Sequence, residues 1–308
     1  MTLAAGIGES AAPDLPVARR LGRPWPGALV SWLQAAPLAI VLLCMFVAPL
    51  VFVVVVSFFD YDRLEIFPAF MFDNYVDIFT SEITVRLYLK TLEYAALVEA
   101  ITVVIGFLVA YFLTFHVRTL PWRVGLLVAC TIPFFTSNMI RMISWIPFLG
   151  REGILNSSVL ATHLVKQPLD FLLFSDFAVI VAYVHILTMM MVAPIVNSMA
   201  KIDHGLIAAA RDAGASETQI VRDIVIPLSK TGITLGSVLV LTQTMGDFFI
   251  VHLLSGGKSA GVVSAIATQL NAFEYPPAAA GSVVLLVVVI ALVAAIFRIV
   301  DVRKELAG

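Results

Sequence analysis

Long apolar stretches alternating with short polar segments set the pattern of this chain. The hydrocarbon core of a bilayer is about 30 Å thick, so a spanning helix needs roughly 20 apolar residues. Stretches of that length occur at about residues 33–59, 91–115, 124–148, 177–200, 231–254 and 275–297, which predicts six transmembrane helices. The first, fourth and sixth contain no Asp, Glu, Lys or Arg. The second carries Glu93 and Glu99, the third Arg141 and the fifth Asp247. Ionisable groups at membrane depth mark function more often than anchoring.

Composition agrees with the pattern. Of 308 residues, 60% are hydrophobic and 13% charged, with a mean hydropathy of +1.00. Soluble domains run near 45–50% apolar and 25% charged, so a soluble globular fold is excluded and an all-α membrane protein is expected. The net charge of −2 is too balanced to argue for a nucleic-acid partner. Cys44 and Cys130 each lie inside an apolar run, where they read as small hydrophobes rather than a disulfide or metal site.

The Lys/Arg distribution sets the expected orientation. Arg19, Arg20, Arg23, Arg118, Arg123, Lys201, Arg211, Arg222, Lys230, Arg298, Arg303 and Lys304 fall on one face, twelve against the six of the other face (Arg63, Arg86, Lys90, Arg151, Lys166, Lys258). Both termini are therefore expected in the cytoplasm. Residues 1–30, rich in Ala, Gly and Pro, are expected to form a flexible and dispensable cytoplasmic tail. The apolar run that follows Arg19-Arg20 is too long for the core of a cleaved signal.

Residues 201–230 form a loop longer than a tight helix connection requires. Leu206, Ala209, Ala210 and Ala213 recur at helical spacing as a small-residue stripe, with Arg211 and Asp212 off it. Gly214 suits a left-handed C-cap. Ser216 and Gln219 have the spacing of a capping box that would start a second helix, with Ile220, Val221, Ile224 and Val225 on its apolar face and Pro227 at its end. A helix of alanines exposed to water fits a groove on another protein. The competing reading, a helix lying on lipid, would want bulky side chains and many lysines.

At this loop the chain resembles a known family. Ala208-Ala209-Ala210, three residues, Gly214, nine residues, then Ile224-Val225-Ile226-Pro227 is similar to the EAA signature of inner-membrane permease subunits of binding-protein-dependent ABC importers. It departs from that signature in Ala208 for the usual Glu and Ile226 for the usual Leu. Arg211-Asp212-Ala213-Gly214-Ala215-Ser216 also resembles the family. Ile132-Pro133-Phe134-Phe135-Thr136-Ser137-Asn138 with Ile140-Arg141 and Trp145, then Gly153-Ile154-Leu155-Asn156, and Met245-Gly246-Asp247-Phe248-Phe249 with Leu253-Leu254-Ser255-Gly256-Gly257-Lys258, resemble its spermidine/putrescine branch. The resemblance implies a permease domain over residues 31–308 of the type I importer fold, with residues 201–230 as the loop gripped by the ATPase. It implies an ABC ATPase dimer that binds ATP and Mg, a second and related permease subunit, and a periplasmic or extracellular solute-binding protein. It further implies a small cationic solute, with an opine, an amino-acid derivative or an iron complex as alternatives within the class. Consistent with that division of labour, the sequence has no G-x-x-x-x-G-K-[ST] phosphate loop, so no cofactor is expected in this chain.

Candidate path residues follow from membrane depth. Asp247 and Gln243 stand four apart, a spacing that would put both on one helix face toward an ammonium group; equally, Asp247 would form a buried bridge with Arg141. Asn138 precedes Arg141 by one turn. Glu93 and Glu99 are six apart and cannot face one site on a helix; Glu99 is the deeper of the two. His185 and Met189-Met190-Met191 read as packing residues rather than metal ligands. Asp60, Asp62, Glu65, Asp73, Asp77 and Glu82 would focus cations or dock a binding protein. An ion-coupled secondary transporter would show paired broken helices, and an intramembrane enzyme a nucleophile and base; neither pattern is present in the sequence.

Overall fold

The segment that opens at Ser175 begins with an N-cap and an acidic residue and then stays apolar for more than 20 residues, which is the recipe for a long buried helix. The computed structural model describes residues 27–62, 65–117, 119–163 and 165–299. In it Ser175 Oγ accepts the Ala178 N–H at 3.2 Å and the helix runs Asp176–Met199. The charge positions 19, 20, 23, 63, 118, 303 and 304, and residues 1–26 of the expected tail, lie outside the described residues.

The chain divides into two units, residues 1–51 and 52–308. In the first, residues 27–51 are one apolar helix with a π-helical turn at Leu43–Val47, and its described side chains are mostly exposed. The helix continues to Val56.

The second unit is built around Asp176–Met199, packed between Glu82–His116 and the helix Lys230–Gly246. Small residues bring these three together. A Cβ at Gly106 would sit 2.5 Å from Met191 Cγ, one at Gly236 2.5 Å from Met191 Sδ, and one at Gly232 2.5 Å from the Pro194 carbonyl oxygen. Gly232 and Gly236 form a small-x-x-x-small pair, which in lipid, where water drives nothing together, lets helices gain dispersion contact at close range. Met191 fills the seam that the glycines leave. Tyr275–Arg298 closes the bundle through Leu285, Val288, Val289 and Leu292 against Ala95, Leu241 and Met245.

At the end of the bundle bearing Lys90 and Asp176, the helices Asp73–Thr80 and Val262–Asn271 and a two-stranded hairpin, Asp60–Asp62 with Glu65–Phe67, cover the helix ends. Asn74 Nδ2 donates to the Ser57 and Phe59 carbonyls at 3.1 and 3.0 Å, and Tyr88 OH donates to the Gly281 carbonyl at 2.8 Å.

Among the described residues, four helices are long and apolar enough to cross a membrane, and a bent pair raises the number to five. The third, fifth and second expected spans need correction. The third is not continuous: Leu120–Thr131 ends in a 3-10 turn at Ile132–Phe135, and Asn138–Leu149 follows. Pro133 has no N–H to continue the ladder and disfavours helix at the residue before it. The fifth ends at Gly246 rather than near residue 254, and a separate short helix, Phe249–Leu254, comes after it. The second begins earlier than expected, at Glu82, because Ser81 Oγ caps Thr84 N–H at 3.3 Å.

Candidate coupling loop and solute path

The loop between the central helix and the 230–246 helix is two short helices locked together. Asp203 caps the first, His204–Asp212, its Oδ1 accepting the Gly205 N–H at 2.8 Å. At the other end Gly214 takes φ +86°. The Gly214 N–H donates to the Arg211 carbonyl at 2.9 Å and the Ala215 N–H to the Ala210 carbonyl at 3.0 Å. This is a Schellman turn, which needs a residue without a Cβ at its left-handed position. The second helix opens with a complete capping box: Ser216 Oγ accepts the Gln219 N–H at 3.4 Å and Gln219 Oε1 accepts the Ser216 N–H at 2.7 Å.

Arg211 spans the turn, its Nε donating to Glu217 Oε1 at 2.7 Å and a terminal NH2 to Oε2 at 3.1 Å. That two-pronged hydrogen bond raises the affinity of Arg211 for its proton and holds the Glu217 carboxyl below its ordinary range. Ile207, Ile220 and Val225 are buried and Ala210 and Ala215 half-buried against the same core, so these residues seat the pair on the bundle; Ile224 is also half-buried. Leu206, Ala208, Ala209, Asp212 and Ala213 are exposed. The exposed stripe is therefore narrower than the spacing alone suggested, since Ala210 turns inward.

The second helix leads straight into the membrane. Glu217–Leu228 contains a π-helical turn at Val221–Val225, and it meets Lys230–Gly246 at an angle of 68°. Pro227 supplies no N–H, and Ser229 Oγ donates to the Val225 carbonyl at 2.6 Å, so the elbow is satisfied by side chain and backbone together. Beyond the elbow, Gly232 and Gly236 clasp the helix that leads into the other end of the loop. Both ends of the loop are thus fixed to helices that grip one another.

The membrane charges are arranged differently from the spacing argument. Gln243 is exposed, but Asp247 does not share its helix face, because the helix stops at Gly246 and Asp247 has extended backbone (φ −86°, ψ 131°). Its Oδ1 accepts the Ile250 N–H at 2.8 Å and the Tyr183 hydroxyl at 3.3 Å, capping the short helix that follows. The bridge from Asp247 to Arg141 does not form. Arg141 instead donates from a terminal NH2 to Asn138 Oδ1, while its Nε is buried without a partner. None of the ion pairs among the described residues includes this guanidinium. Trp145 Nε1 donates to His185 Nδ1 at 3.2 Å beside it.

Glu93 and Glu99 part company. Glu99 has both carboxyl oxygens buried without a hydrogen-bond partner, Ser237 being the polar side chain that approaches it. Glu93 is exposed and accepts from Lys90 Nζ at 3.1 Å. The same Lys90 ammonium lies 2.7 Å from Asp176 Oδ2 and 5.1 Å above the Tyr94 ring. Tyr94 OH, at 2.6 Å, and Ser259 Oγ also donate to Asp176. Sequence reasoning missed this cluster, because its members come from three distant segments. It also missed the Gly232/Gly236 clasp, whose spacing was a readable signal.

Beside the loop, a groove of about 980 Å³ opens along the central helix. Leu127, Met189, Ala193, Asn197, Leu235 and Leu239 line it. It is apolar, with Asn197 and Lys201 at the end nearer the loop.

No family model matches the chain. It is 34% identical over 218 residues to the spermidine/putrescine transport system permease protein PotB of Escherichia coli (strain K12), an alignment covering 70% of this chain and 77% of that one. The chain belongs to the PotB family of ABC transporter permeases. The PotB protein of Haemophilus influenzae is 31% identical over 214 residues, covering 68% of this chain and 72% of its own length. A solved bacterial ABC transporter for the acidic polysaccharide alginate has a chain of the same fold, with a TM-score of 0.73 at 19% identity, covering 89% of this chain and 95% of that one. Within this family the chain is a transport component and a multi-pass membrane protein.

Proposed function

We propose that this chain forms half of the inner-membrane pathway of an ATP-driven importer for a small cationic solute, most simply a polyamine. The observation that carries the reading is the locked helix pair 204–228, whose small exposed face sits on the side away from the bundle. Membership of the PotB family supports the solute class, since the family members compared above are named for spermidine and putrescine. The loop faces the cytoplasm with both termini on that side, by the Lys/Arg excess. There an ABC ATPase dimer binds ATP and Mg and grips Leu206, Ala209 and Ala213. A second, related permease completes the pathway, and an external binding protein delivers the solute.

The mechanism follows from the connectivity. Closure of the ATPase dimer moves the loop as a rigid body, because the Schellman turn, the capping box and the Arg211–Glu217 fork leave it little internal freedom. One end of the loop pulls the central helix through residues 200–203, and the other pulls the 230–246 helix through the 68° elbow. Their glycine clasp makes these two helices move together, so the equilibrium between two bundle orientations is what nucleotide and loaded binding protein bias. The exposed Gln243 and Asn138 and the half-buried Asp247 and Arg141 are assigned to the solute path as its polar groups; the Glu99 oxygens are enclosed near Ser237. A ligand screen of the cognate binding protein, followed by solute-stimulated ATP hydrolysis in the reconstituted complex, tests the reading. Stimulation by spermidine or putrescine is expected. Stimulation only by a carboxylate solute or an iron complex would reassign the substrate.

A further inference from the structure

We propose that Glu99 carries a proton in the packed bundle and joins the Glu82–Tyr111 and Lys230–Gly246 helices as a neutral acid, so that the seam between them loosens when that proton is lost. Glu99 is the middle residue of the spanning helix Glu82–His116, about 25 Å from either end at 1.5 Å per residue. Both of its carboxyl oxygens are buried by this chain's own atoms, and neither has a hydrogen-bond partner. Helix register sets Ser237 opposite it, since Ala95, one turn before Glu99, packs with Leu241, one turn after Ser237. Ser237 is 8% exposed and is the polar side chain that approaches the carboxyl. Thr102, on the next turn, turns its hydroxyl back to the Val98 and Glu99 backbone carbonyls at 2.7 and 3.1 Å and leaves the carboxyl alone.

No counter-charge is close. None of the ion pairs among the described residues includes Glu99. The 230–246 helix has Lys230 as its one ionisable residue, at the loop end, and Tyr275–Ile299 has Tyr275 and Arg298, near its two ends. The central helix offers Asp176, Tyr183 and His185. Asp176 is paired with Lys90, Tyr183 donates to Asp247, and His185 accepts from Trp145. On its own helix the nearest cation is Lys90, about 14 Å away along the axis and held by Asp176 and Glu93. A carboxylate enclosed without a cation, a backbone N–H or water is far costlier than the neutral acid, because burial penalises the charge and spares the protonated form. The enclosure therefore selects the proton. Losing it would leave a bare charge inside the seam, which draws in water and parts the helices. Under the reading above, the 230–246 helix transmits the movement of the loop, so the tie would make that transmission sensitive to pH; the tie itself needs no partner chain and no solute.

The test uses the full chain in lipid with its native partners. Infrared difference spectra between wild type and Glu99→Gln, taken at mildly acidic pH where exposed carboxyls are already ionised, should show the carbonyl stretch of one protonated carboxyl, and the band should vanish as pH rises. No such band overturns the proposal and leaves Glu99 charged. Glu99→Gln keeps the size and the neutrality of the acid, so the two melting temperatures should agree below the ordinary glutamate range. Above it wild type should fall behind by several degrees, the gap growing until the enclosed carboxyl ionises. A gap that is the same at every pH overturns the tie. Should Glu99→Gln fail to accumulate, wild type grown with 13C-labelled glutamate decides: the band should move with the label, and a band that stays in place belongs to another group and refutes the assignment.

Discussion

The loop at residues 201–230 and the three-helix seam around Met191 are held by opposite means. In the loop every helix end is closed by a named polar contact: Asp203 to Gly205, the Gly214 turn, the Ser216–Gln219 box and the Arg211–Glu217 fork. In the seam the closest approaches are apolar, with Gly106, Gly232 and Gly236 against Met191 and Pro194. Water competes for each polar contact in the loop, so one such contact is worth only about 1 kcal/mol and several are needed. In lipid the seam gains nothing from expelling water, so its strength is close contact summed over many atoms, and a single added methyl group is felt. The loop should therefore lose its shape by degrees, whereas the seam should fail at one residue.

The largest effect is expected at the seam. Gly236→Leu would drive a side chain into Met191 and should cost about 3 kcal/mol or prevent accumulation of a folded protein; thermal unfolding of the purified importer measures it. A variant with an unchanged melting temperature would show that the helices are not pressed together there. Next comes Gly214→Val. A β-branched residue at φ +86° is strained by about 1–3 kcal/mol, so the loop should re-form differently and the ATPase should be lost on purification, while the bundle itself stays folded. Asp247→Asn keeps the shape of the cap but halves its acceptor capacity. Uptake should fall several-fold with assembly intact, and unchanged uptake kinetics would leave Asp247 as a cap alone.

The smallest effect belongs to the Arg211–Glu217 fork, which is open to solvent. Because the folded loop holds the Glu217 carboxyl below its usual value of 4.5, the pair contributes above that value and loses its contribution as pH falls through the lowered folded value. Coupled ATPase activity of Glu217→Gln at neutral pH should drop less than twofold. A larger loss would mean that Glu217 also touches the ATPase.

The contrast also explains which features could be read from the sequence. The loop was legible because its determinants are local: Gly214, Ser216 with Gln219, and the alanine stripe are all within a few residues of their partners. The long uncharged runs were legible because thickness alone sets their length. The break at residues 132–137 was partly hidden, since Pro133 sits inside an otherwise continuous apolar run. The site at Asp247 was misread, because helix continuity past Gly246 was assumed and the backbone turns there to start a new helix. The Lys90–Asp176–Tyr94–Ser259 cluster was out of reach, because its members meet only through the tertiary fold.

The central claim, that the 204–228 pair is a handle moved by a separate ATPase, is tested most directly by placing a charge on its exposed stripe. Ala209→Asp in the reconstituted importer, supplied with solute-loaded binding protein, should reduce stimulated ATP hydrolysis and co-purification of the ATPase to background while this chain keeps its melting temperature. Full stimulation and full recovery of the ATPase with Ala209→Asp would contradict the account.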